Sequence, residues 1–195
     1  FIDRIAALTH FAPHFHVSLQ SGCTRALLAM RRRYTAETAY RNMEYIRTVI
    51  PRVQFSADII TGFPGETEED FLQTLAFVQQ TRLLHAHIFT YSRRPGTAAD
   101  TMPDQIPEEI KIERSARLSN LQKEIKHEIL DAELAADRPT PVLIEETKKG
   151  YFRGHSDHFM EYIIPATDAA TDAVGKVLLL HPLSHDGDII TGRLS

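Results

Sequence analysis

Cysteine is nearly absent from this sequence: Cys23 is the only one among 195 residues. A disulfide needs two cysteines, and a cysteine-ligated metal cluster needs three or four thiolates. This chain alone therefore builds neither a disulfide framework nor such a cluster. We expect Cys23 to be a small, buried or half-buried side chain.

Long hydrophobic runs and an excess of positive charge are also lacking. No apolar stretch approaches the roughly 20 residues that span a bilayer, and no charged-then-apolar leader is present, which predicts a cytoplasmic protein without a membrane partner. The net charge of −4 argues against a uniformly basic nucleic-acid binder, although residues 31–33 (RRR) form a local basic patch. With 43% hydrophobic residues, the chain is expected to form one globular domain and at most a small second one.

One stretch, residues 56–71, changes from strand to tight loop to helix within a short distance. Residues 53–60 are rich in apolar and β-branched side chains and predict a buried strand. Glycines and Pro64 then turn the chain sharply. Thr67 is expected to cap the following helix together with Asp70 in a capping box, and the neighbouring glutamates match the positive end of the helix dipole.

The same β-loop-α pattern occurs three times, which predicts an α/β fold with a parallel sheet. Strands are predicted at residues 15–20, 53–60 and 85–91, and helices at 24–30, 35–50 and 68–81. Thr24 and Thr35 are expected to cap the first two of these helices. Pro107 begins a long charged helix that runs to about residue 135.

Beyond Pro139 and Pro141 the hydrophobic period changes from 3.6 to 2, which places a domain boundary between residues 138 and 139. Five short strands then follow in about 55 residues, and we predict a small antiparallel β-barrel over residues 139–195. They are expected at residues 142–145, 151–153, 159–164, 175–180 and 188–193.

Polar side chains collect where the three predicted parallel strands end. These tips are residues 20–22, 61–66 and 91–96. Small residues with hydroxyl and amide groups at such an edge favour a polar, partly apolar ligand such as a nucleoside. Ordinary turn chemistry is the alternative explanation.

The histidines of the predicted strands raise the question of a metal site. His16 lies two residues from Ser18, and His85 two residues from His87, so each pair shares one face of a strand. Because neither pair has an evident acidic or cysteine partner, hydrogen-bonded structural histidines are the favoured interpretation and no metal site is predicted.

Four ordered motifs lie between residues 16 and 97. They are HVSLQSGC (16–23), MRRRYT (30–35), DIITGFPGETEEDF (58–71) and HIFTYSRRPGT (87–97). Together they resemble the radical S-adenosylmethionine (SAM) methylthiotransferases, which add a methylthio group to tRNA adenosines or to a ribosomal protein. The LQSGC and RRYT forms most resemble the branch that modifies C2 of threonylcarbamoyladenosine in tRNA.

This resemblance implies the C-terminal half of a radical-SAM (β/α) barrel over residues 1–138, followed by a TRAM-like RNA-binding barrel. It also implies SAM, tRNA and two 4Fe-4S clusters whose cysteine ligands lie in N-terminal domains outside this chain. The chain, which starts at Phe1, is then expected to be a fragment that is inactive alone. A ribosomal-protein methylthiotransferase and a non-catalytic RNA-binding module are the alternatives.

The resemblance also assigns residues. Arg32 is expected to pair with the carboxylate of SAM, because a guanidinium suits a planar anion. The full set expected to bind the cofactor is Gln20, Ser21, Arg32, Asp58, Thr61, Gly62, Phe89, Tyr91 and Ser92. Contacts to RNA are expected from charged and aromatic residues, which combine phosphate binding with base stacking. These are Arg93, Arg94, Lys148, Lys149, Tyr151 and Arg153.

Overall fold

The computed structural model describes residues 1–167 and 173–195. The helices are α1 (Ile2–Ala6), α2 (Thr24–Ala29), α3 (Ala36–Val49), α4 (Glu68–Thr81) and α5 (Glu108–Ala136), with a short 3-10 helix at Ala98–Thr101. The strands are β1 (His14–Gln20), β2 (Gln54–Thr61), β3 (His85–Thr90), β4 (Thr140–Lys148), β5 (Tyr151–Ser156), β6 (Glu161–Pro165), β7 (Val177–His185) and β8 (Ile190–Leu194). No helix among the described residues is both long and apolar enough to cross a bilayer.

The chain divides into two compact units. The sheet unit comprises Phe15–Val49 and Phe55–Ile125, and the barrel unit comprises Phe1–His14, Ile50–Gln54 and Lys126–Ser195. The domain boundary predicted between residues 138 and 139 stays a prediction.

The sheet unit contains a three-stranded sheet in the order β1-β2-β3. β2 and β3 run parallel, with Asp58 opposite His87 and Thr61 opposite Thr90. The predicted parallel sheet is therefore confirmed. Because the pairing is parallel, both strands end at the same edge of the sheet.

The central strand β2 supplies much of the core of this unit. Its alternate residues Phe55, Ala57 and Ile59 are completely buried, while Asp58 and Ile60 on the opposite face are only half-buried. A strand with one buried face fixes its own register, because a slip of one residue would exchange the two faces. The half-buried face is the one that carries Asp58.

Two of the three predicted helix caps are confirmed. The Asp70 amide donates to Thr67 Oγ1 over 3.2 Å and the Thr67 amide donates to Asp70 Oδ2 over 2.7 Å, which completes the capping box of α4. Thr35 accepts from the Thr38 amide at the start of α3. The prediction for Thr24 was wrong: Thr24 is the first residue of α2, and its hydroxyl accepts from the Ala36 amide over 3.0 Å. A contact between neighbouring helices replaces the local cap.

The barrel unit contains a closed barrel in the order β4-β5-β6-β8-β7. The predicted small barrel is confirmed, but one part of the prediction was wrong: β6 and β8 pair in parallel, and the other four pairs are antiparallel. The cause is the odd number of strands. Directions cannot alternate all the way around a closed ring of five, so one pair must be parallel.

Alternate residues of the barrel strands point inward and are fully buried. The completely or almost completely buried ones are Val142, Ile144, Tyr162, Ile164, Leu180 and Ile190. Gly154 lies on β5 opposite Ile144 of β4. A β-carbon at Gly154 would come within 1.8 Å of the backbone oxygen of Leu143, so the two strands can approach only because this position has no side chain.

We expect Gly154→Ala to destabilise the barrel, because the new methyl group overlaps backbone atoms that cannot rotate away. Overpacking of this kind costs about 3 kcal/mol. Gly192→Ala is the matched control, since its β-carbon would meet the Leu180 Cβ at 3.2 Å, where a small shift suffices. Urea unfolding followed by circular dichroism measures both free energies, and equal losses in the two variants would contradict this account.

Candidate functional site

The three strand tips of the sheet unit meet at one groove with a volume of about 560 Å³. This volume lies in the range of pockets that hold small ligands. Six of the residues predicted to bind cofactor or RNA line the groove: Gln20, Asp58, Phe89, Tyr91, Ser92 and Arg94. Sequence reasoning therefore located the groove, although it said nothing of its shape.

A second hollow of about 580 Å³ adjoins the first, since Gln20, Ile60 and Phe63 line both. Arg32, which is half-buried, lines this second hollow but not the groove. Gln20 is therefore accessible from both hollows. A ligand that occupies both would come close to Gln20, Phe63 and the guanidinium of Arg32.

The end of β1 is held in an unusual backbone conformation. Gln20 has φ of 72°, a left-handed value that non-glycine residues rarely adopt. The Tyr34 hydroxyl donates to the carbonyl of Leu19 over 2.8 Å and contacts that of Ser18 at 3.1 Å. These contacts fix the strand end, so Gln20 reaches the groove from a constrained backbone. Strain of this kind is concentrated at functional sites.

Four of the predicted cofactor residues do not line the groove: Arg32 lines the adjoining hollow, and the other three line neither. Ser21 is completely buried, and its hydroxyl lies 3.1 Å from Thr74 Oγ1 on α4. Thr61 is almost completely buried. Gly62 lies beneath the side chain of Lys111, whose Cγ would be 2.3 Å from a β-carbon at this position. These residues shape the wall of the groove from behind.

The loop after β2 is fastened by a buried carboxylate. Glu66 Oε2 accepts from the Gly62 amide and from Arg114 Nη1, each over 2.8 Å, and both charged side chains are almost fully buried. Burial raises the pKa of Glu66, and the amide of Gly62 and the guanidinium of Arg114 act in the opposite direction. The sequence interpretation of Glu66 as a helix-start charge was incomplete, because it also closes the loop.

Lys111 of α5 supports the third strand tip. Its ammonium donates to the carbonyl of Tyr91 over 3.0 Å and to Glu108 over 3.1 Å. The Tyr91 ring packs edge-on against Phe63 with centroids 5.3 Å apart. Its hydroxyl is buried and has no hydrogen-bond partner among the described residues. Sequence reasoning missed Lys111 and Arg114, although their spacing of three residues on α5 marks them as one helix face.

A second charged pair joins α2 to α4. Arg25 binds both oxygens of Asp70, with its Nε 2.8 Å from Oδ1, and the thiol of Cys23 donates to the same Oδ1 over 3.2 Å. Arg25 and the hydrogen bonds from Thr67 hold the pKa of Asp70 well below its ordinary value. Burial raises the pKa of Cys23, which is 1% exposed. Cys23 is therefore a structural thiol, as predicted.

Comparison with known proteins shows which proteins this chain resembles. Residues 1–78 match the model of the Radical SAM superfamily. The tRNA-2-methylthio-N(6)-dimethylallyladenosine synthase of Thermobifida fusca is 47% identical over 129 residues, which are 65% of this chain and 26% of that protein. The predicted resemblance to the radical SAM methylthiotransferases is confirmed.

Other relatives carry related names. The corresponding synthase of Mycolicibacterium smegmatis is 47% identical over 127 residues, 65% of this chain and 25% of that protein. The threonylcarbamoyladenosine tRNA methylthiotransferase of Bacillus subtilis is 33% identical over 168 residues, 85% of this chain and 37% of that protein. The chain thus spans about a quarter to a little over a third of the length of these tRNA methylthiotransferases.

The superfamily in general implies SAM and a 4Fe-4S cluster. The residues of this chain do not fit the cluster: three thiolates are needed, and the single cysteine is buried and donates to Asp70. The groove, which combines amide, hydroxyl and aromatic groups, contains no feature that conflicts with SAM. Its tips coincide with three of the four motifs that resemble those of the methylthiotransferases.

The predicted RNA contacts differ in availability. Arg93 donates to the Asp100 carboxylate over 3.0 Å and to its carbonyl, whereas Arg94 lies on the rim of the groove. In the barrel unit, Lys148 and Lys149 lie at the exposed turn between β4 and β5 beside Tyr151.

The fourth predicted contact of the barrel unit, Arg153, is already engaged. It binds Glu161 through Nε and lies 3.5 Å from Glu146. A phosphate group would have to compete with two carboxylates for this guanidinium. The turn at Lys148 and Lys149 is the more available part of the predicted RNA surface.

We expect Asp70→Asn to lower the free energy of unfolding by about 2–3 kcal/mol at pH 7, because the variant removes hydrogen bonds to a buried charge. The pKa of Asp70 is lower in the folded than in the unfolded chain, so this contribution is present above about pH 4. It disappears as the pH falls further, and the difference from the unmodified chain should shrink there.

Urea unfolding between pH 7 and pH 3 tests this expectation. Glu69→Gln is the control, since Glu69 lies one position earlier in α4 and is exposed. A difference for Asp70→Asn that stays constant over this pH range would contradict the assigned role.

Proposed function

We propose that this chain forms part of a radical SAM tRNA methylthiotransferase, which adds a methylthio group to C2 of a modified adenosine. The observation that carries the proposal is the meeting of three strand tips at one groove, each tip belonging to a motif of that family. The tips contribute Gln20, Ile60 and Phe89 to Ser92. The high identity to tRNA methylthiotransferases supports the same conclusion.

The groove offers a partner for each part of SAM. Phe89 is 54% exposed and presents an aromatic surface for adenine. The Gln20 amide and the Ser92 hydroxyl can bind the ribose hydroxyls, and Arg32 can bind the carboxylate of the amino-acid end. Ser21, Thr61 and Gly62 act indirectly, because they shape the wall behind these groups.

When bound, SAM supplies the radical chemistry, and the residues of this chain bind it, orient it and exclude water. The cluster ligands are proposed to lie in N-terminal domains that belong to the same protein, where two 4Fe-4S clusters are bound. The chain alone is then inactive, since Cys23 cannot supply three thiolates. The five-stranded barrel is proposed to be a TRAM-like RNA-binding domain, and the setting to be the cytoplasm, where tRNA is modified.

Two substituents are candidates for the modified adenosine on which the enzyme acts. The motif forms favour threonylcarbamoyl, and the relative of that name aligns over 85% of this chain. The more similar relatives are, by name, synthases of 2-methylthio-N(6)-dimethylallyladenosine in tRNA, and their 47% identity makes dimethylallyladenosine the second candidate substrate. The two substituents differ in charge: threonylcarbamoyl carries a carboxylate, whereas dimethylallyl is apolar. The exposed guanidinium of Arg94 on the groove rim suits the carboxylate.

We expect deletion of the encoding gene to remove 2-methylthio-threonylcarbamoyladenosine from tRNA, and the intact gene to restore it. Complementation with Arg94→Gln should lower the rate of modification by about tenfold, because a charge-assisted hydrogen bond contributes about 1.5–3 kcal/mol. Lys123→Ala, an exposed residue of α5, is the control and should restore the modification fully. Mass spectrometry of tRNA nucleosides gives the measurement.

Each other outcome identifies a different function. Loss of 2-methylthio-dimethylallyladenosine, with no effect of Arg94→Gln, would favour the second substrate. Unchanged methylthio nucleosides would contradict the tRNA proposal. The remaining candidates would then be a ribosomal-protein methylthiotransferase and a non-catalytic RNA-binding module. Mass spectrometry of ribosomal proteins separates the two, because only the first adds a methylthio group to a ribosomal protein.

For the barrel unit, we expect the double variant Lys148→Ala/Lys149→Ala to bind tRNA more weakly. Removing one lysine–phosphate interaction reduces the slope of log K against log salt by about one, so the slope should fall by about two in the double variant. Fluorescence anisotropy with labelled tRNA at several salt concentrations measures the slope. Lys123→Ala is the control, because it also removes an exposed lysine charge but lies outside the turn, and its slope should be unchanged. An unchanged salt slope in the double variant would remove the turn from the RNA surface.

A further inference from the structure

One group of side chains in the sheet unit combines Asp58, which was predicted to bind the cofactor, with two histidines that have no role in the interactions proposed for SAM. His16 of β1, Asp58 of β2 and His87 of β3 stand side by side on three neighbouring strands. One ligand atom from each lies within 4.8 Å of the other two. Two imidazoles and one carboxylate form a donor set suited to divalent transition metals.

Tertiary structure supplies the acidic partner that the sequence pattern lacked. His16 and His87 were interpreted as structural because no carboxylate lay near them in the chain. The pairing of β2 with β3 places Asp58 directly opposite His87, and His16 Nε2 lies 3.4 Å from Asp58 Oδ2. The rings of His16 and His87 are 5.5 Å apart between centroids.

The distance between His16 and Asp58 fits two ligands of one ion better than a direct hydrogen bond. A charge-assisted N–H···O bond is about 2.7–2.9 Å long. Two donors that each lie about 2.1 Å from a tetrahedral metal are separated by about 3.4 Å. The widest separation in the group, up to 4.8 Å, closes with a side-chain shift of about 1 Å.

A neighbouring hydroxyl orients the His16 ring for ligation. His16 Nδ1 lies 3.0 Å from Oγ of Ser56, which is 5% exposed. When Nδ1 carries the proton and donates to Ser56, Nε2 presents its lone pair toward Asp58. A lone pair facing a carboxylate is repulsive unless a cation lies between them. Metal-binding histidines are commonly held by a hydrogen bond of this kind at the other ring nitrogen.

A second histidine–aspartate group provides an internal contrast. In the barrel unit, His127, Asp131 and His185 also bring three ligand atoms together. There, the Gly187 amide donates to His185 Nδ1 over 3.0 Å, so Nε2 carries the proton and donates to Asp131 over 3.0 Å. No lone pair of His185 is left for a metal ion. The two groups have similar composition, but the Ser56 hydroxyl can accept from His16 Nδ1 and leave Nε2 free, whereas the Gly187 amide can only donate to His185 Nδ1.

We propose that His16, Asp58 and His87 bind one divalent transition metal ion of the zinc or ferrous class, with Ser56 orienting His16. Asp58 also lines the groove, so an ion held by Asp58 would lie beside the space that a ligand would occupy. The ion is separate from any iron–sulfur cluster, because its ligands are nitrogen and oxygen atoms. The assignment does not depend on SAM binding.

Cobalt(II) is the probe, since a nitrogen- and oxygen-ligated Co²⁺ ion gives a visible absorption band. We expect the full chain, free of added SAM, to bind one Co²⁺, and Zn²⁺ to displace it in a titration. His16→Gln and His87→Gln should each weaken binding by about 100-fold or more. Ser56→Ala should weaken it by about tenfold, the usual effect of an outer hydrogen-bond partner.

His127→Gln is the matched control and should bind Co²⁺ as the unmodified chain does. Far-ultraviolet circular dichroism checks the fold of each variant. His87 lies exposed on an edge strand, so His87→Gln remains a valid test if a substitution at Asp58 impairs folding. Unchanged Co²⁺ binding in His16→Gln and His87→Gln, loss of binding in His127→Gln, or no binding by the unmodified chain would each overturn the proposal. None of these results depends on methylthiotransferase activity.

Discussion

The parallel pairing of β2 with β3 is the constraint on which the candidate site depends. It fixes Asp58 beside His87 and ends both strands at the same edge of the sheet. The completely buried face of β2 makes this register the stable one, because a slip of one residue would expose Phe55 and bury Asp58. Hydrophobic burial on one face thus determines the positions of polar groups on the other.

Buried charges make the loops around the groove rigid. Glu66 is held by Arg114 and by the Gly62 amide, and Lys111 holds the carbonyl of Tyr91. Removing one partner of a buried ion pair costs about 3–5 kcal/mol, because the other charge is left without compensation. The groove therefore has a fixed wall, while Arg94 and Ser92 on its rim are exposed. A rigid wall with an adaptable rim suits a small cofactor beside a large, variable substrate.

The barrel unit shows a topological constraint of another kind. Five strands cannot close with alternating directions, so the ring contains one parallel pair between β6 and β8. Close approach of β4 and β5 requires Gly154, because a β-carbon at this position would overlap the backbone oxygen of Leu143 on β4. The exposed turn with Lys148 and Lys149 extends beyond this closely packed region and is free to serve as a contact surface.

Local sequence was enough to define most of the helices and strands. The bounds of α4 and its capping box were predictable because they depend on residues within four positions of one another, and the parallel sheet followed from the repeated β-loop-α pattern. The motifs also placed Gln20, Phe89 and Ser92 at strand ends that line the groove.

Which of these residues reach the groove, and what lies behind them, depended on the packing of distant segments. Ser21 faces Thr74 rather than the groove, and Lys111 and Arg114 lie on a buried face of α5, a helix whose sequence shows only that it is highly charged. Asp58 meets His16 and His87 although 42 and 29 residues separate them along the chain. Local preferences act within a turn or a strand, whereas burial and side-chain partners are set by strand pairing and helix packing between segments far apart in the chain.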